Sequence, residues 1–275
     1  MTFQRRDSSI ESQITIRDEH VTRSGDSTLL IGTAGWTLPR STAPLFPGDG
    51  AHLARYGRVL KATEINSSFR RAHRRQTYAR WAASVPDDFR FSVKLPKEIT
   101  HVRRLVRVEA LLNAFLCDVS GLNVRLGCLL VQLPPSLALI PDDADAFFSA
   151  LRGHYQGDLA VEPRHVSWFA GDGEYLFQKH RLARVAADPA RMVEAGIPGG
   201  WNGCVYWRLH GSPRTYYSAY SDADLSSIVA AVTTARRHAR TTWCIFDNTA
   251  LGAATGNALT LRSRVDAAHL LPAQF

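Results

Sequence analysis

The chain has 275 residues, which suits two small domains or one α/β barrel of about 250 residues, with ample length to bury a core. Lys and Arg number 33 against 25 Asp and Glu, a net charge of +8, and a hydrophobic share of 45% excludes a wholly disordered chain. The basic excess is nearly all arginine, because Lys61, Lys94, Lys97 and Lys179 are the only lysines. A guanidinium fork grips phosphate or carboxylate bidentately, so this balance favours an anionic partner. Cys117, Cys128, Cys204 and Cys244 are scattered, without a CxxC pair or metal-ligand spacing. Three of them lie inside apolar runs and read as small buried hydrophobes of a reducing compartment. No run of 18 apolar residues suits a membrane span, and Met1 to Asp7 carries no secretory pattern. The cytoplasm is the expected location, with no membrane partner and the oligomeric state open.

Residues 1–28 are polar and aperiodic and read as a flexible extension. From 29 to 275 the texture changes. Short apolar runs recur at 29–34, 59–65, 89–95, 126–133, 158–162, 183–188, 204–209 and 242–247. Helical spacing lies between them at 77–84, 107–119, 142–151 and 222–240. In 107–119, Val108, Leu111, Leu112, Phe115, Leu116 and Val119 form an i, i+3, i+4, i+7 stripe. Strand then helix, with eight strands, predicts an α/β fold: a single-domain, TIM-like (β/α)8 barrel. An open doubly wound sheet is the alternative. The short step from Asp188 to Arg208 leaves no room for a crossover helix, and Pro198-Gly199-Gly200 reads as a loop there.

Strands alternate faces with period two. Tyr206, Arg208 and His210 then share one face, opposite Val205, Trp207 and Leu209. The same reading of the other strands collects Glu64, Asn66, Lys94, Gln132, Glu162, Arg164, Asp188 and either Asp247 or Asn248 at one lumen mouth. These sit at the C-terminal ends of strands, where barrel enzymes keep their chemistry. So many charges in one lumen must pair with one another or bind a ligand. Glu64, Lys94, Glu162, Arg208 and His210 are the candidate catalytic residues. Lys94 closes an apolar strand, which suits proton transfer or anion binding. A divalent metal on the carboxylates and His210 is conceivable but not favoured, since Lys94, Arg164 and Arg208 already neutralise them. No cofactor is assigned.

These stretches resemble the family called domain of unknown function 72, or YecE-like. The matching pieces are Ile31-Gly32-Thr33-Ala34-Gly35-Trp36, Glu64-Ile65-Asn66-Ser67-Ser68-Phe69, Phe89-Arg90-Phe91-Ser92-Val93-Lys94, Gln132-Leu133-Pro134-Pro135, Glu162-Pro163-Arg164-His165, Tyr206-Trp207-Arg208-Leu209-His210-Gly211 and Phe246-Asp247-Asn248. They run in family order over roughly 31–261. The resemblance implies a TIM-barrel-like fold and no established activity. The chain departs from the family at Arg70, usually aromatic, and at Asp247, often Asn.

No P-loop, HExxH, nucleophile elbow or GxGxxG is present. Arg70, Arg71, Arg74, Arg75 and Arg80 follow the second strand, and Lys97, Arg103, Arg104 and Arg107 the third. Such a rim, with His101, Trp168, Tyr216, Tyr217 and Tyr220 for stacking, suits a phosphate backbone or a flipped base. The expected binding residues are therefore Trp36, Asn66, Gln132, Arg164, Asp188, Asp247, Asn248, Arg71, Arg74 and Arg75. The leading expectation is a barrel that binds or acts on a phosphate-bearing substrate, nucleic acid among the candidates. The alternatives are an enzyme for a small carboxylate or sugar, and a non-catalytic binding protein.

Overall fold

Short runs of β-branched and large apolar residues, each bounded by Gly, Pro or charge, form the strands of one sheet. In the computed structural model, which describes residues 27–270, the sheet runs β1 (Thr28–Ala34), β2 (Ala62–Ile65), β3 (Arg90–Lys94), β4 (Leu126–Gln132) and β5 (Asp158–Glu162). It continues with β6 (Leu182–Arg184), β7 (Ala186–Asp188), β8 (Gly199–Gly200), β9 (Cys204–Leu209) and β10 (Thr241–Phe246). The expectation for 1–28 falls almost entirely outside the described residues; Thr28 opens β1.

The spatial order is β7-β9-β10-β1-β2-β3-β4-β5-β6-β8. All pairings are parallel except the two-residue β8 against β6. The sixth apolar run closes the ring. Its first half, β6, bonds to β5, and its second half, β7, bonds to β9. Val185 is the joint between them, and its N–H donates to the Val161 carbonyl at 2.9 Å. With β6 and β7 taken as one strand, eight parallel strands enclose a barrel. The short step before β9 holds only a 3-10 turn at Val193–Gly196 and β8.

Helices α1 (His52–Val59), α2 (Arg75–Ala83), α3 (Glu109–Val119), α4 (Pro141–His154), α5 (Gly171–Lys179), α6 (Asp222–Arg236) and α7 (Ala253–Leu270) surround the sheet. Side chains such as Phe91, Val93, Leu129, Val131, Leu159 and Phe246 point outward into the layer beneath them. The lumen below the mouth is a separate apolar plug that includes Leu30, Cys128, Leu130, Tyr206, Trp243 and Ile245. Cys128, Cys204 and Cys244 are buried, as expected of small apolar fillers. The plug sets the floor on which the charged layer rests.

Candidate functional site

Above the plug, period two lifts polar residues of β2, β3, β4, β5, β9 and the end of β10 into the lumen. Arg208 stands at the centre, 1% exposed, on β9. Its Nε and Nη2 donate to the two oxygens of Glu64 at 2.9 and 2.7 Å. Nη1 donates to Glu162 Oε2 at 2.7 Å, and Nη2 also reaches Asp247 Oδ2 at 3.0 Å. One guanidinium thus ties β9 to β2, to β5 and to the end of β10. The Tyr206 hydroxyl joins this layer to the plug, 3.0 Å from Glu64 Oε2 and 2.9 Å from Ser92 Oγ. Three carboxylates around one buried guanidinium satisfy nearly all its donors, which is the condition for burying it.

Glu162 is the second centre. Gln132 Nε2 donates to both its oxygens at 2.9 Å, and Arg164 donates to Oε1 through Nε and Nη2 at 2.8 and 2.7 Å. Burial pushes the Glu162 carboxyl up, but Arg208 and Arg164 outweigh it and hold it far below the usual carboxylate range. Asp247 behaves alike: burial raises it, and Arg208 with His210 brings it below its ordinary value. Its Oδ2 lies 3.0 Å from His210 Nδ1. The other imidazole nitrogen, Nε2, is buried without a hydrogen-bond partner among the described residues and lies 3.9 Å from Glu162 Oε1. Gly211, at φ +93°, turns the chain sharply after His210; a Cβ there would meet the Ser218 carbonyl at 2.6 Å.

Lys94 closes β3 at the same level. Its ammonium lies 4.1 Å from the centroid of the Phe69 ring and, among the described residues, meets no carboxylate at ion-pair distance. Burial, with Arg208 nearby, pulls it down to about 8, against the partial opposing pull of Glu64, Glu162 and Asp247. Burial and then Lys94 likewise lower His101 to about 4. Phe69 packs edge-on against His101 with centroids 4.9 Å apart.

The depressed carboxylates fix an acid-side prediction. A folded value below the unfolded one gives stability that is complete above the unfolded pKa, about 4–4.5. It is lost as pH falls through the folded value. Urea midpoints are therefore expected to hold at neutral pH and to fall below about pH 4.5. Glu162→Gln should lower the plateau and make that fall shallower. A midpoint that stays flat well into the acid range would refute these charge states.

Glu64, Lys94, Gln132, Glu162, Arg164, Arg208, His210 and Asp247 converge as the alternation of strand faces predicts. Two expected lumen placements, those of Asp188 and Asn66, are corrected. Asp188 points out of the lumen: it shares the face of Ala186, which packs in the outer layer, while Val185 fills the plug. Its Oδ2 accepts from the Tyr220 hydroxyl at 2.7 Å. Of the alternatives Asp247 and Asn248, Asp247 points into the lumen, because Ile245 sets the inward phase; Asn248 Nδ2 donates to the Ser218 carbonyl and Asn257 Oδ1. Trp36 packs outside the barrel, edge-on to Trp81 and Phe91. Asn66 is half-buried at the rim, where its carbonyl accepts from the Phe69 N–H. Arg71, Arg74 and Arg75, expected on a rim outside the barrel, are exposed; Arg71 and Arg74 precede α2 and Arg75 opens it. Phe69 is the site residue that sequence reasoning missed. Its signal was its place on the first turn after a strand ending in lumen charge.

A cavity of about 340 Å³ opens beside this layer, walled by Glu162, Arg164, Arg191, His210, Thr215 and Tyr216. Among the described residues no group of three His, Cys, Asp or Glu side chains is arranged to hold a metal ion. The lumen carboxylates already serve guanidinium groups. No helix among the described residues is long and apolar enough to cross a membrane.

Solved structures share the barrel. A DUF72 family protein from Enterococcus faecalis V583 superposes with a TM-score of 0.71 at 19% identity, covering 90% of this chain and 100% of that one. One from Thermotoga maritima gives 0.70 at 23% identity, covering 87% and 99%. In sequence, the chain is 31% identical to UPF0759 protein YecE of Escherichia coli K12 over 170 residues, 58% of this chain and 61% of that protein. It thus spans about three fifths of the length of that relative. The model of the family described as protein of unknown function DUF72 matches residues 30–274, which include every strand of the barrel but the first two residues of β1 and every residue of the charged layer, and the chain belongs to that family.

Proposed function

We propose that the barrel mouth binds a small phosphate-bearing molecule and that His210 transfers a proton to or from it. The observation that carries this reading is the His210 imidazole. Asp247 holds one nitrogen, and the other is buried without a partner among the described residues, in a residue that walls a cavity. A buried polar atom without a partner is a group that a ligand can complete. An imidazole oriented through Nδ1 by a carboxylate presents Nε2 as a base, the arrangement used in general acid–base catalysis. Arg164 supplies the anion contact. It spends Nε and Nη2 on Glu162, which leaves Nη1 without a partner among the described residues. At about 340 Å³ the cavity fits a metabolite-sized ligand or a single nucleotide.

A second reading extends the ligand to a nucleic-acid strand. It rests on Arg70, Arg71, Arg74 and Arg75, which are exposed and form no ion pair among the described residues. Inorganic phosphate and ribose 5-phosphate are expected to raise the melting temperature. At a hundred times Kd the gain is about 2.7 kcal/mol, a shift of several degrees for a chain of this size. Arg164→Ala should abolish the shift while the unliganded protein still melts cooperatively. Absence of any shift at millimolar phosphate would sink the reading. For the strand, binding of a single-stranded oligonucleotide should fall with salt at a log–log slope of roughly −3 for four phosphate contacts. The triple replacement of Arg71, Arg74 and Arg75 by Ala should flatten that slope.

A further inference from the structure

We propose that Lys94 is a nucleophilic amine that forms a reversible imine with an aldehyde or ketone carried into the mouth. The anionic part of such a substrate rests on the reading of the mouth given above; the carbonyl part rests on Lys94 alone. Among the four lysines it is the one that is buried. Lys61 and Lys179 are half-exposed and held by Asp88 and Asp145, each at 2.7 Å. Lys97 is exposed. Lys94 stands in a lumen with three carboxylates, yet forms an ion pair with none of them.

The reason lies in how the carboxylates are spent. Glu64 is occupied by Arg208 and Tyr206. Glu162 is taken by Gln132, Arg164 and Arg208. Asp247 is shared between Arg208 and His210. The ammonium is left with the face of Phe69. That ring is fixed by Lys94's own backbone, because Ser68 Oγ donates to the Lys94 carbonyl at 2.6 Å and anchors the turn that carries Phe69. A desolvated amine beside a fixed cation is the environment that activates lysine for carbonyl chemistry. Its value near 8 leaves a free-amine fraction at neutral pH roughly two orders of magnitude above that of an ordinary lysine.

The step balances without an oxidant or reductant. The lone pair of the Lys94 nitrogen attacks the carbonyl carbon, and the C=O π pair moves to oxygen. Proton transfer from nitrogen to oxygen gives a carbinolamine. Loss of that oxygen as water, with one further proton taken up, leaves a protonated C=N bond. The reverse step is hydrolysis by one water.

Reductive trapping tests this. Pyridoxal 5′-phosphate carries both an aldehyde and a phosphate, and sodium borohydride fixes any imine as a stable secondary amine that peptide mass spectrometry can locate. Lys94 is expected to be labelled about tenfold or more faster than Lys97 at pH 7. Lys94→Arg keeps the cation and should remove that label while the other three lysines react as before; a retained melting transition shows that the variant is folded. Propionaldehyde, which has no anionic group, separates the two readings. If propionaldehyde marks Lys94 and phosphate fails to slow the pyridoxal reaction, the imine assignment stands and the phosphate reading falls. Labelling of Lys94 no faster than of Lys97 with both aldehydes overturns the assignment.

Discussion

Arg208→Ala is expected to destabilise the protein by about 3–5 kcal/mol, and to lower the melting temperature by roughly ten degrees. The guanidinium satisfies Glu64, Glu162 and Asp247 inside the barrel, so truncation leaves carboxylates buried without their main countercharge. A charge stranded in a low-dielectric site costs far more than the pair contributes while it is intact. Arg208→Lys should recover only part of the loss, because one ammonium cannot span three carboxylates held by a fork. A neutralised pair, Arg208→Met with Glu64→Gln, should be more stable than Arg208→Ala, since it removes a partner together with the charge. Denaturant midpoints of the four proteins decide the matter. If Arg208→Ala melts with the parent, the guanidinium is not the centre of the layer, and its role is ligand binding instead.

Lys94→Met is expected to act in the opposite direction and raise stability at pH 7. Burial brings the ammonium from 10.5 to about 8, a differential cost on the order of 3 kcal/mol for holding the charge inside. Methionine fills similar space without that charge. The sign follows from proton linkage. Below pH 8 the amine is protonated in both states, and the cost is present in full. Between pH 8 and 10.5 the unfolded chain binds more protons, so parental stability rises with pH and the advantage of the variant fades. Melting curves of both proteins from pH 7 to 10.5 test this. A variant that melts at or below the parent at pH 7 would show that the cation stabilises the mouth. A residue retained against stability points to function rather than architecture.

The charged layer was legible in the sequence because period two is a strong rule where a strand is buried on both faces. Leu130 and Gln132, Ala160 and Glu162, and Tyr206 and Arg208 all fall as the alternation requires. Asp188 shows what alternation alone leaves open. It shares a face with Ala186, but only Val185, turned into the plug, tells which face is the inner one. The apolar run 59–65 is divided between two elements: Val59 ends α1, and β2 begins at Ala62. Helix α7 carries a weak apolar signal because half of its buried stripe is alanine: Ala254, Ala258, Leu261 and Val265. Helix α5 opens on Gly171-Asp172-Gly173, which reads as a turn. A Glu162–Arg208 pair could be anticipated from their shared lumen face, and it forms at 2.7 Å, but the rest of the network could not. That Arg208 also takes Glu64 and Asp247, and that Lys94 is left with an aromatic ring, depend on distances that no local pattern encodes.

The bonds around Arg208 also bear on how the barrel comes together. They join residues 144, 46 and 39 positions apart along the chain. A half-formed sheet that already shielded the guanidinium would lack some of those partners and carry an uncompensated charge. Partial barrels are therefore penalised, and the ring is favourable only when all of its arcs are present. The hub acts as a cooperativity device: it discourages the half-open, strand-exposing intermediates through which large parallel sheets aggregate.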